Sequence, residues 1–379
     1  MALQLEARGL VYDASPQPPE SRVNAFTSIR RLNSGTLIVG YQSGPAKHAP
    51  TSTLQLSRSL DGGNSWGVIP FRFSTTLDGK AGSLSSGDIV ELPNGRLLLT
   101  GTWFDRTDPE RPLFDAETQG LLHSRQILAT SEDQGTTWSP WRVIPTPGLT
   151  GCAATGPILS WSDGSIALAF ESYKEYDDPS PSRHAAWLTT SRDGGETFSE
   201  QHLVAQHPDH HLFYWDQRLC AGQQPGEYFA FFWTHDLEQK QDLNVHFKHG
   251  SLQEQGHPFT AIRQTTIPGQ IGAPLLLDDG RLLVFVVDRD RPGTLTLWSS
   301  QDEGLTWPEQ DKLVVHIHDE KAALTQQGAD VDFNAYWDDM LKWSFGHPAL
   351  VDLKNGTVLC AFYAGAPGCL SIHWARVRV

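Results

Sequence analysis

The sequence is poor in the residues that would place it in several large classes of protein. Its 379 residues include four cysteines and two methionines, and 44 acidic residues outnumber 29 basic ones, which gives a formal net charge of −15. Such an excess of negative charge disfavours nucleic acid and anionic membrane surfaces as partners. No apolar run reaches the length of a transmembrane helix. We therefore expect a protein that binds neither nucleic acid nor membrane.

The four cysteines give little sign of metal binding. Cys152, Cys220, Cys360 and Cys369 show no metal-ligand spacing. Cys220 and Cys360 lie in apolar, strand-like runs, where a buried free thiol is the expected state. The sequence leaves open a disulfide between Cys360 and Cys369 across a hairpin.

Histidine is the other residue type that suggests a metal. His210 and His211 are adjacent, and His207 precedes them. This spacing is poor for a structural zinc site, and no cysteine or carboxylate set completes it, so we interpret the segment as a surface loop. The chain also lacks a glycine-rich phosphate loop after a strand and a nucleophile elbow. We predict no metal and no cofactor.

The N-terminal segment gives an expectation about location. Residues Met1 to Arg8 lack the basic-then-apolar form of a signal peptide. This predicts a cytoplasmic protein, or a secreted or periplasmic one if a leader was trimmed.

The chain is rich in turn-forming and aromatic residues. Its 34 glycines and 24 prolines suit many tight turns, and its 13 tryptophans suit both the packing of sheets and sugar binding. Four stretches share the pattern Ser-x-Asp-x-Gly-x-x-aromatic, with Ser or Thr before the aromatic residue. They are Ser59 to Trp66, Ser131 to Trp138, Ser191 to Phe198 and Ser300 to Trp307. In such a turn the Asp carboxylate accepts backbone N–H groups and the glycine adopts a positive φ.

This pattern resembles the Asp-box, or bacterial neuraminidase repeat, of sialidases and related β-propellers. In that family the boxes lie on the side of the propeller away from the active site. The resemblance therefore implies that Asp61, Asp133, Asp193 and Asp302 are structural. It also implies a propeller whose aromatic box residues pack between neighbouring units.

A second repeat, an apolar strand, a glycine turn and another apolar strand, interlocks with the first. Its six copies surround Gly35, Gly95, Gly164, Gly226, Gly280 and Gly356. The repeat length is about 63 residues, the size of a four-stranded blade with its loops. We therefore predict an all-β, six-bladed β-propeller in a single domain covering residues 1–379.

The last predicted unit has no box and no fourth strand of its own. The N-terminal stretch from Leu3 to Tyr12 can supply that strand and close the ring. Helices are expected to be few, with a short one between Ala335 and Lys342.

The repeat also predicts where a site lies. Glycine turns and boxes share the bottom of the blades, so the first-strand starts and the loops after the second strands meet at the top. Carboxylates, arginines and aromatics converge there, which suits a carbohydrate. Glycoside hydrolysis needs two carboxyl groups, one of them raised in pKa to act as an acid. The candidate catalytic residues are Glu171 and Asp105, then Asp216 and His347.

A larger set of residues in the same loops and strand starts is predicted to bind substrate. For each residue taken singly, a solvated loop position, a salt bridge or ordinary packing is the simpler interpretation. The set is Arg22, Asn24, Asp88, Trp103, Tyr173, Arg218, His235, Gln270, Asp288, Arg289 and Trp343.

The sequence departs from sialidases at the site. The resemblance to sialidases implies three arginines around the substrate carboxylate. The matching positions of this chain hold Ala25, Gln270 and Gly346 instead. A tyrosine nucleophile is expected in the last unit, where the chain reads Phe345-Gly346-His347. A sialoside would need a different clamp made by Arg22, Arg218 and Arg289.

We therefore predict a glycosidase that acts on a sugar other than a typical sialoside. One alternative is a polysaccharide lyase with His347 or Tyr173 as base. The other is a propeller that binds a glycan or a protein without catalysis.

Overall fold

The computed structural model describes residues 2–154, 156–253, 261–290, 293–318 and 342–379. Strands dominate these ranges, with two 3-10 helices at Pro19–Ser21 and Glu309–Asp311. The helix predicted between Ala335 and Lys342 lies outside the described residues apart from Lys342. No helix in the described ranges has both the length and the apolar character needed to cross a bilayer.

Twenty-five strands make up the fold within the described residues. The first fourteen are β1 (Gln4–Tyr12), β2 (Val23–Arg31), β3 (Leu37–Gly44), β4 (Thr53–Ser59), β5 (Gly67–Val68), β6 (Gly82–Glu91), β7 (Leu97–Asp105), β8 (Ser124–Ser131), β9 (Arg142–Ile144), β10 (Cys152–Ala153), β11 (Ile158–Ser160), β12 (Ile166–Ser172), β13 (Ala185–Ser191) and β14 (Glu200–Ala205). The others are β15 (Leu212–Ala221), β16 (Glu227–Asp236), β17 (Gln241–Ser251), β18 (Arg263–Gln264), β19 (Gly272–Leu276), β20 (Leu282–Asp288), β21 (Gly293–Ser300), β22 (Lys312–His318), β23 (Phe345–Asp352), β24 (Thr357–Ala366) and β25 (Cys369–Arg378).

The strands form a β-propeller. Four sheets are separate blades of antiparallel strands, which we call blade A (β6–β9), blade B (β10–β14), blade C (β15–β18) and blade D (β19–β22). In blade B the first strand is interrupted, so that β10 and β11 both pair with β12. The apolar runs of β7 and β20 are buried, as expected for strands packed between two neighbouring sheets.

The remaining eight strands form one continuous sheet, which we call the joined sheet. Strand β1 pairs with β25 from Ile372 onwards, so the N-terminal strand closes the ring as predicted. Ahead of that ladder, Leu370 pairs with Val23 of β2 in parallel. The described residues therefore form four separate blades and one eight-stranded sheet, rather than the six blades predicted. A single backbone pair joins two groups of four strands because β1 leaves the start of β25 uncovered.

The four Asp-type turns have the predicted hydrogen bonds. The first serine of each turn accepts the N–H of the glycine at 2.9 Å. The aspartate accepts the backbone N–H four residues later at 2.8–2.9 Å and the neighbouring Ser or Thr hydroxyl at 2.6 Å. The glycines have φ between 81° and 89°. These turns are local structures that satisfy their own polar groups.

The aromatic residue of the turn packs across a gap between sheets. Trp307 of blade D lies against Phe231 of blade C, with ring centroids 5.7 Å apart. The four cysteines are free thiols. Cys360 lies opposite Ala375 and Cys369 opposite Ala366, so the disulfide left open by the sequence does not form.

Candidate active site

Four first strands carry a β-bulge near their start. The register of β2, β6, β15 and β23 shifts by one residue at the bulge. One residue in each bulge has a left-handed φ of 46–57°, and these residues are Phe26, Ser86, Asp216 and His347. A left-handed side-chain-bearing residue costs about 1–3 kcal/mol, and such strain gathers at functional sites. The four bulges therefore indicate that the top of the axis is the candidate site.

A cavity of about 70 Å³ lies at three of these bulges, where Phe26, Ser86 and Asp216 border it. Its walls are formed by residues at the starts of first strands, at the ends of second strands and in the loops that follow the second strands. Its carboxylates are Glu171 and Asp216, and its aromatic residues are Phe26, Phe104, Phe114, Tyr173, Trp215 and Trp233. Two predicted carboxyl groups from neighbouring blades thus share one apolar, aromatic-walled cavity.

Glu171 has no solvent exposure and is held by two hydrogen bonds. Its Oε2 accepts the Tyr173 hydroxyl proton at 2.6 Å, and its Oε1 accepts the backbone N–H of Gln217 at 2.9 Å. Gln217 follows Asp216 in the bulge of blade C. The carboxylate of blade B is therefore fixed against the bulge that carries the second carboxyl group.

Asp216 is the carboxyl group whose pKa rises. Burial raises its pKa to about 6, and the nearby charge of Glu171 acts in the same direction. Arg218 opposes the shift, with its Nη2 3.8 Å from Oδ1 of Asp216, and Arg289 opposes it more weakly. A carboxyl group with this pKa is partly protonated near neutral pH and can donate a proton.

His347 holds Arg218 rather than acting as a free base. Its Nδ1 donates to the Thr27 carbonyl at 3.1 Å, and its Nε2 accepts from Arg218. An arginine can only donate, so this contact fixes the ring as the neutral Nδ1–H tautomer. Burial and the charge of Arg218 keep the pKa of His347 well below its usual range.

Arg289 is a buried arginine whose charge lies near Asp216. It is 1% exposed and lies over the Trp343 ring at 4.0 Å. Its Nη2 donates to the Phe345 carbonyl at 3.3 Å, whereas Nε and Nη1 have no hydrogen-bond partner among the residues that the structure describes. Gln270 accepts the backbone N–H of Arg289 at 3.2 Å. Arg289, Gln270 and Trp343 thus form one buried group.

Several predicted residues serve the scaffold instead. Asp105 does not line the cavity: its carboxylate accepts the N–H and hydroxyl of Thr107 and pairs with Lys80 at 3.1 Å. These hydrogen bonds lower the pKa of Asp105, although burial opposes them. This is the environment of an ionised carboxylate, so the pairing of Asp105 with Glu171 as acid and base finds no support in the geometry.

Asp88 of blade A contacts both the joined sheet and blade B. It pairs with Arg30 of the joined sheet at 2.9 Å and accepts the N–H of Ile158 in blade B at 3.2 Å. Trp103 is buried in the core and donates to the Thr75 carbonyl at 2.8 Å. Neither side chain borders the cavity at the bulges.

Four further candidates also lie outside that cavity. Arg22 donates twice to the Gln17 carbonyl, at 2.7 and 3.0 Å. Asn24 donates to the Leu370 carbonyl at 3.0 Å, across the junction of the joined sheet. His235 stacks behind Trp215 at 5.3 Å and pairs with Asp242. Asp288 borders an outer groove of blade D, where burial raises its pKa to about 6. The clamp of Arg22, Arg218 and Arg289 therefore does not form, because Arg22 is used elsewhere.

Three further residues near the site were not among the predicted catalytic or substrate-binding residues. Lys47 donates to the Trp343 carbonyl and lies 5.1 Å from the Tyr363 ring centroid. The rings of His48 and Phe26 are tilted with their centroids 4.6 Å apart, and burial lowers the pKa of His48 to about 3. Tyr363 had no motif to identify it, although its strand was recognised. Burial raises its pKa, and Arg289 is near enough to oppose that rise.

A second cavity of about 230 Å³ follows the axis. It shares Phe26 and Ser86 with the first cavity, and Arg218, His347 and Asp88 also border it. Arg218 and His347, which contact each other, thus border the second cavity next to the residues that the two cavities share.

The chain is similar in structure to several solved proteins. A protein of unknown function from Dyadobacter fermentans aligns with a TM-score of 0.73 at 18% identity, over 100% of this chain and 99% of that one. The Hadza microbial sialidase Hz136 aligns at 0.69 and 16%, over 99% and 69%. The alpha-L-arabinanase of Penicillium chrysogenum, solved with arabinobiose, aligns at 0.65 and 14%, over 98% and 98%.

No protein-family model matches the sequence, and no curated protein matches it. At these low identities the structural similarities establish the fold alone. The chain has a β-propeller fold like that of the sialidases and arabinanases.

Proposed function

We propose that this protein is a glycoside hydrolase whose top-face axial cavity binds a sugar. The observation that carries the proposal is the placement of Glu171 and Asp216 in one cavity walled by aromatic side chains. Structural similarity to a sialidase and an arabinanase supports the same reaction class. We also propose that the joined sheet acts as two blades, which gives six in a single domain with Asp-box turns below.

In this proposal Asp216 is the general acid. Its pKa of about 6 lets it carry a proton to the glycosidic oxygen as the leaving group departs. Glu171 is the second carboxyl group, held as a hydrogen-bond acceptor by Tyr173 and Gln217. It either attacks the anomeric carbon or takes a proton from water, and the anomer released distinguishes the two mechanisms.

The size of the cavity favours a small sugar group at the end of a glycan as the group that binds there. Its volume of about 70 Å³ is far below that of ordinary ligand pockets, which reach about 300–1,000 Å³. Phe26 and Trp215 offer apolar faces to the sugar C–H groups. Because Ala25, Gln270 and Gly346 replace the expected arginines, we propose a substrate other than a typical sialoside.

Two buried arginines favour one alternative, a lyase acting on a uronate. Arg218 and Arg289 are buried near Asp216, and Nε of both and Nη1 of Arg289 have no hydrogen-bond partner within the described part of the chain. Such donors suit a carboxylate. The base would be Tyr173, because the Nε2 lone pair of His347 already accepts from Arg218. Burial and Glu171 raise the pKa of Tyr173, which disfavours the phenolate and makes this the second choice.

Product analysis by mass spectrometry tests these proposals. The purified chain is incubated with neutral arabinosides and other glycosides, sialosides and uronate oligosaccharides. Release of a sugar with gain of water supports the hydrolase. An unsaturated product without added water overturns it in favour of the lyase. Binding without turnover across the panel supports a non-catalytic glycan-binding propeller.

A further inference from the structure

The turn between β14 and β15 gathers three possible metal ligands. His207, Asp209 and His211 each offer one ligand atom, and these atoms lie within 4.8 Å of one another. The imidazole rings of His207 and His211 have their centroids 4.0 Å apart. The sequence predicted a surface loop without a metal here, because the spacing of His210 and His211 with His207 nearby is poor for zinc and no cysteine or carboxylate set completes it. The folded turn instead brings together alternate residues, with Asp209 as the carboxylate.

The turn is shaped by its own residues and anchored at both ends. Pro208 fixes one backbone angle, and His210 adopts a left-handed φ of 57° while its N–H donates to the His207 carbonyl at 3.1 Å. The buried Val204 and Ala205 precede the turn. After it, the carbonyl of His211 accepts the N–H of Leu237 at 2.9 Å. The three side chains are therefore held near one another before any ion binds, which reduces the entropy lost on binding.

We propose that His207, Asp209 and His211 bind a divalent transition-metal ion, with Zn²⁺ as the best fit. Two imidazoles and one carboxylate are typical ligands of zinc, whereas Ca²⁺ and Mg²⁺ prefer sets of oxygen atoms. Three protein ligands leave a fourth position for water or another donor. Binding requires one local change at His207. Its Nδ1 accepts the N–H of Asp209 at 3.2 Å, and a metal ion would compete with that N–H for the imidazole ring.

The position of the turn gives the site a consequence for the fold. It connects blade B to β15, the strand of blade C that carries the bulge at Asp216. The two histidines are half-buried and Asp209 is exposed, so an ion can reach the site from solvent. An ion that binds only the folded turn stabilises the folded chain. This site is independent of the proposed glycosidase chemistry.

Zinc titration of the chelator-stripped full chain tests the proposal. Isothermal titration calorimetry with ZnCl₂ should show one site per chain, and the melting temperature should rise with zinc. The double variant His207→Ala with His211→Ala should lose that site and the zinc-dependent rise. Asp209→Asn should weaken binding by at least about tenfold.

Two controls keep the result specific. His202→Ala removes a half-buried histidine of β14 that pairs with Glu200 at 3.7 Å, and it should bind zinc like the parent chain. MgCl₂ should produce no rise in melting temperature. Zinc binding that survives the double variant unchanged, or no binding by the parent chain, would overturn the proposal.

Discussion

Two sets of aspartates in this protein respond oppositely to their surroundings. In the bottom turns, the Thr hydroxyl and backbone N–H four residues later lower the pKa of Asp133 and Asp193 to about 2. At the top, burial raises the pKa of Asp216 to about 6. The turn carboxylates are exposed and surrounded by donors, whereas Asp216 lies in an apolar cavity beside a second carboxylate.

The difference shows that solvation and hydrogen bonding, rather than residue type, divide structural from chemical aspartates. A turn aspartate is stabilised in its charged form and has no proton to give at neutral pH. Asp216 costs free energy to ionise and keeps its proton to a higher pH. The proposed proton transfer therefore fits the strained bulge that carries Asp216 better than the turns, whose aspartates bind their own backbone.

The largest expected effect is the loss of activity in Glu171→Gln. The change keeps the size of the side chain and an acceptor for Tyr173 but removes the charge, so kcat/KM should fall about 10²–10⁴-fold. Steady-state kinetics on the substrate found by product analysis gives the measurement. Asp105→Asn is the matched control and should keep parental activity. Equal loss in both variants would return Asp105 to the mechanism.

The pH profile should give the next largest effect. If Asp216 must be protonated, kcat/KM falls as pH rises through the pKa of about 6, by about tenfold per unit beyond it. Asp288→Asn is the control, since burial also raises the pKa of Asp288 to about 6 but that residue lies in another groove. The control should keep the same basic limb. A profile that stays level from pH 6 to 8 would contradict the role of Asp216.

A turn serine should affect stability without affecting chemistry. The buried Oγ of Ser131 accepts the N–H of Gly135 at 2.9 Å and donates to Asp133 at 2.8 Å. Ser131→Ala should lower the free energy of unfolding by about 1–2 kcal/mol, because a buried N–H loses its partner. Urea denaturation measures this change in the free energy of unfolding, and kcat should stay unchanged.

The equivalent turn of blade B provides a repeat of that test. Ser191→Ala removes the same two hydrogen bonds, at 2.9 and 2.7 Å, and should cost a similar free energy. A large fall in kcat from either serine variant, with the fold intact, would break the division between bottom and top.

The smallest effect is expected for an exposed ion pair. Lys354 and Asp278 lie 2.7 Å apart, with side chains 45% and 82% exposed. Asp278→Asn should change the free energy of unfolding by less than about 0.5 kcal/mol, because water screens the pair and Lys354 keeps Asp352 at 3.0 Å. Urea denaturation at low and high salt checks this, and a loss above about 1 kcal/mol would be inconsistent with it.

The sequence predicted much of the fold because its signals are local. The Ser, Asp and Gly of each turn lie within four residues and satisfy one another, and the N-terminal strand was recognised by the strand missing from the last unit. The division into sheets was not predictable, since the pair of Val23 with Leu370 joins distant parts of the chain. Neither residue differs in pattern from an ordinary strand position.

The structure brings only some of the predicted residues together. Glu171, Asp216 and Tyr173 line the cavity, whereas Asp105, Trp103 and Arg22 came from equivalent loops and lie elsewhere. A position at the end of a strand does not determine which way a side chain faces when a bulge shifts the register. Tyr363 and Lys47 carry no motif, and only packing brings them near Arg289.

The sequence by itself determined the all-β class, the repeated turns and the closing strand, because each depends on residues near one another or on a pattern repeated along the chain. The tertiary structure decided which carboxyl groups share a cavity, which of them is raised in pKa, and which histidines of one turn face each other. Those properties depend on burial and on charges brought from separate blades, and they exist only once the chain has closed around its axis.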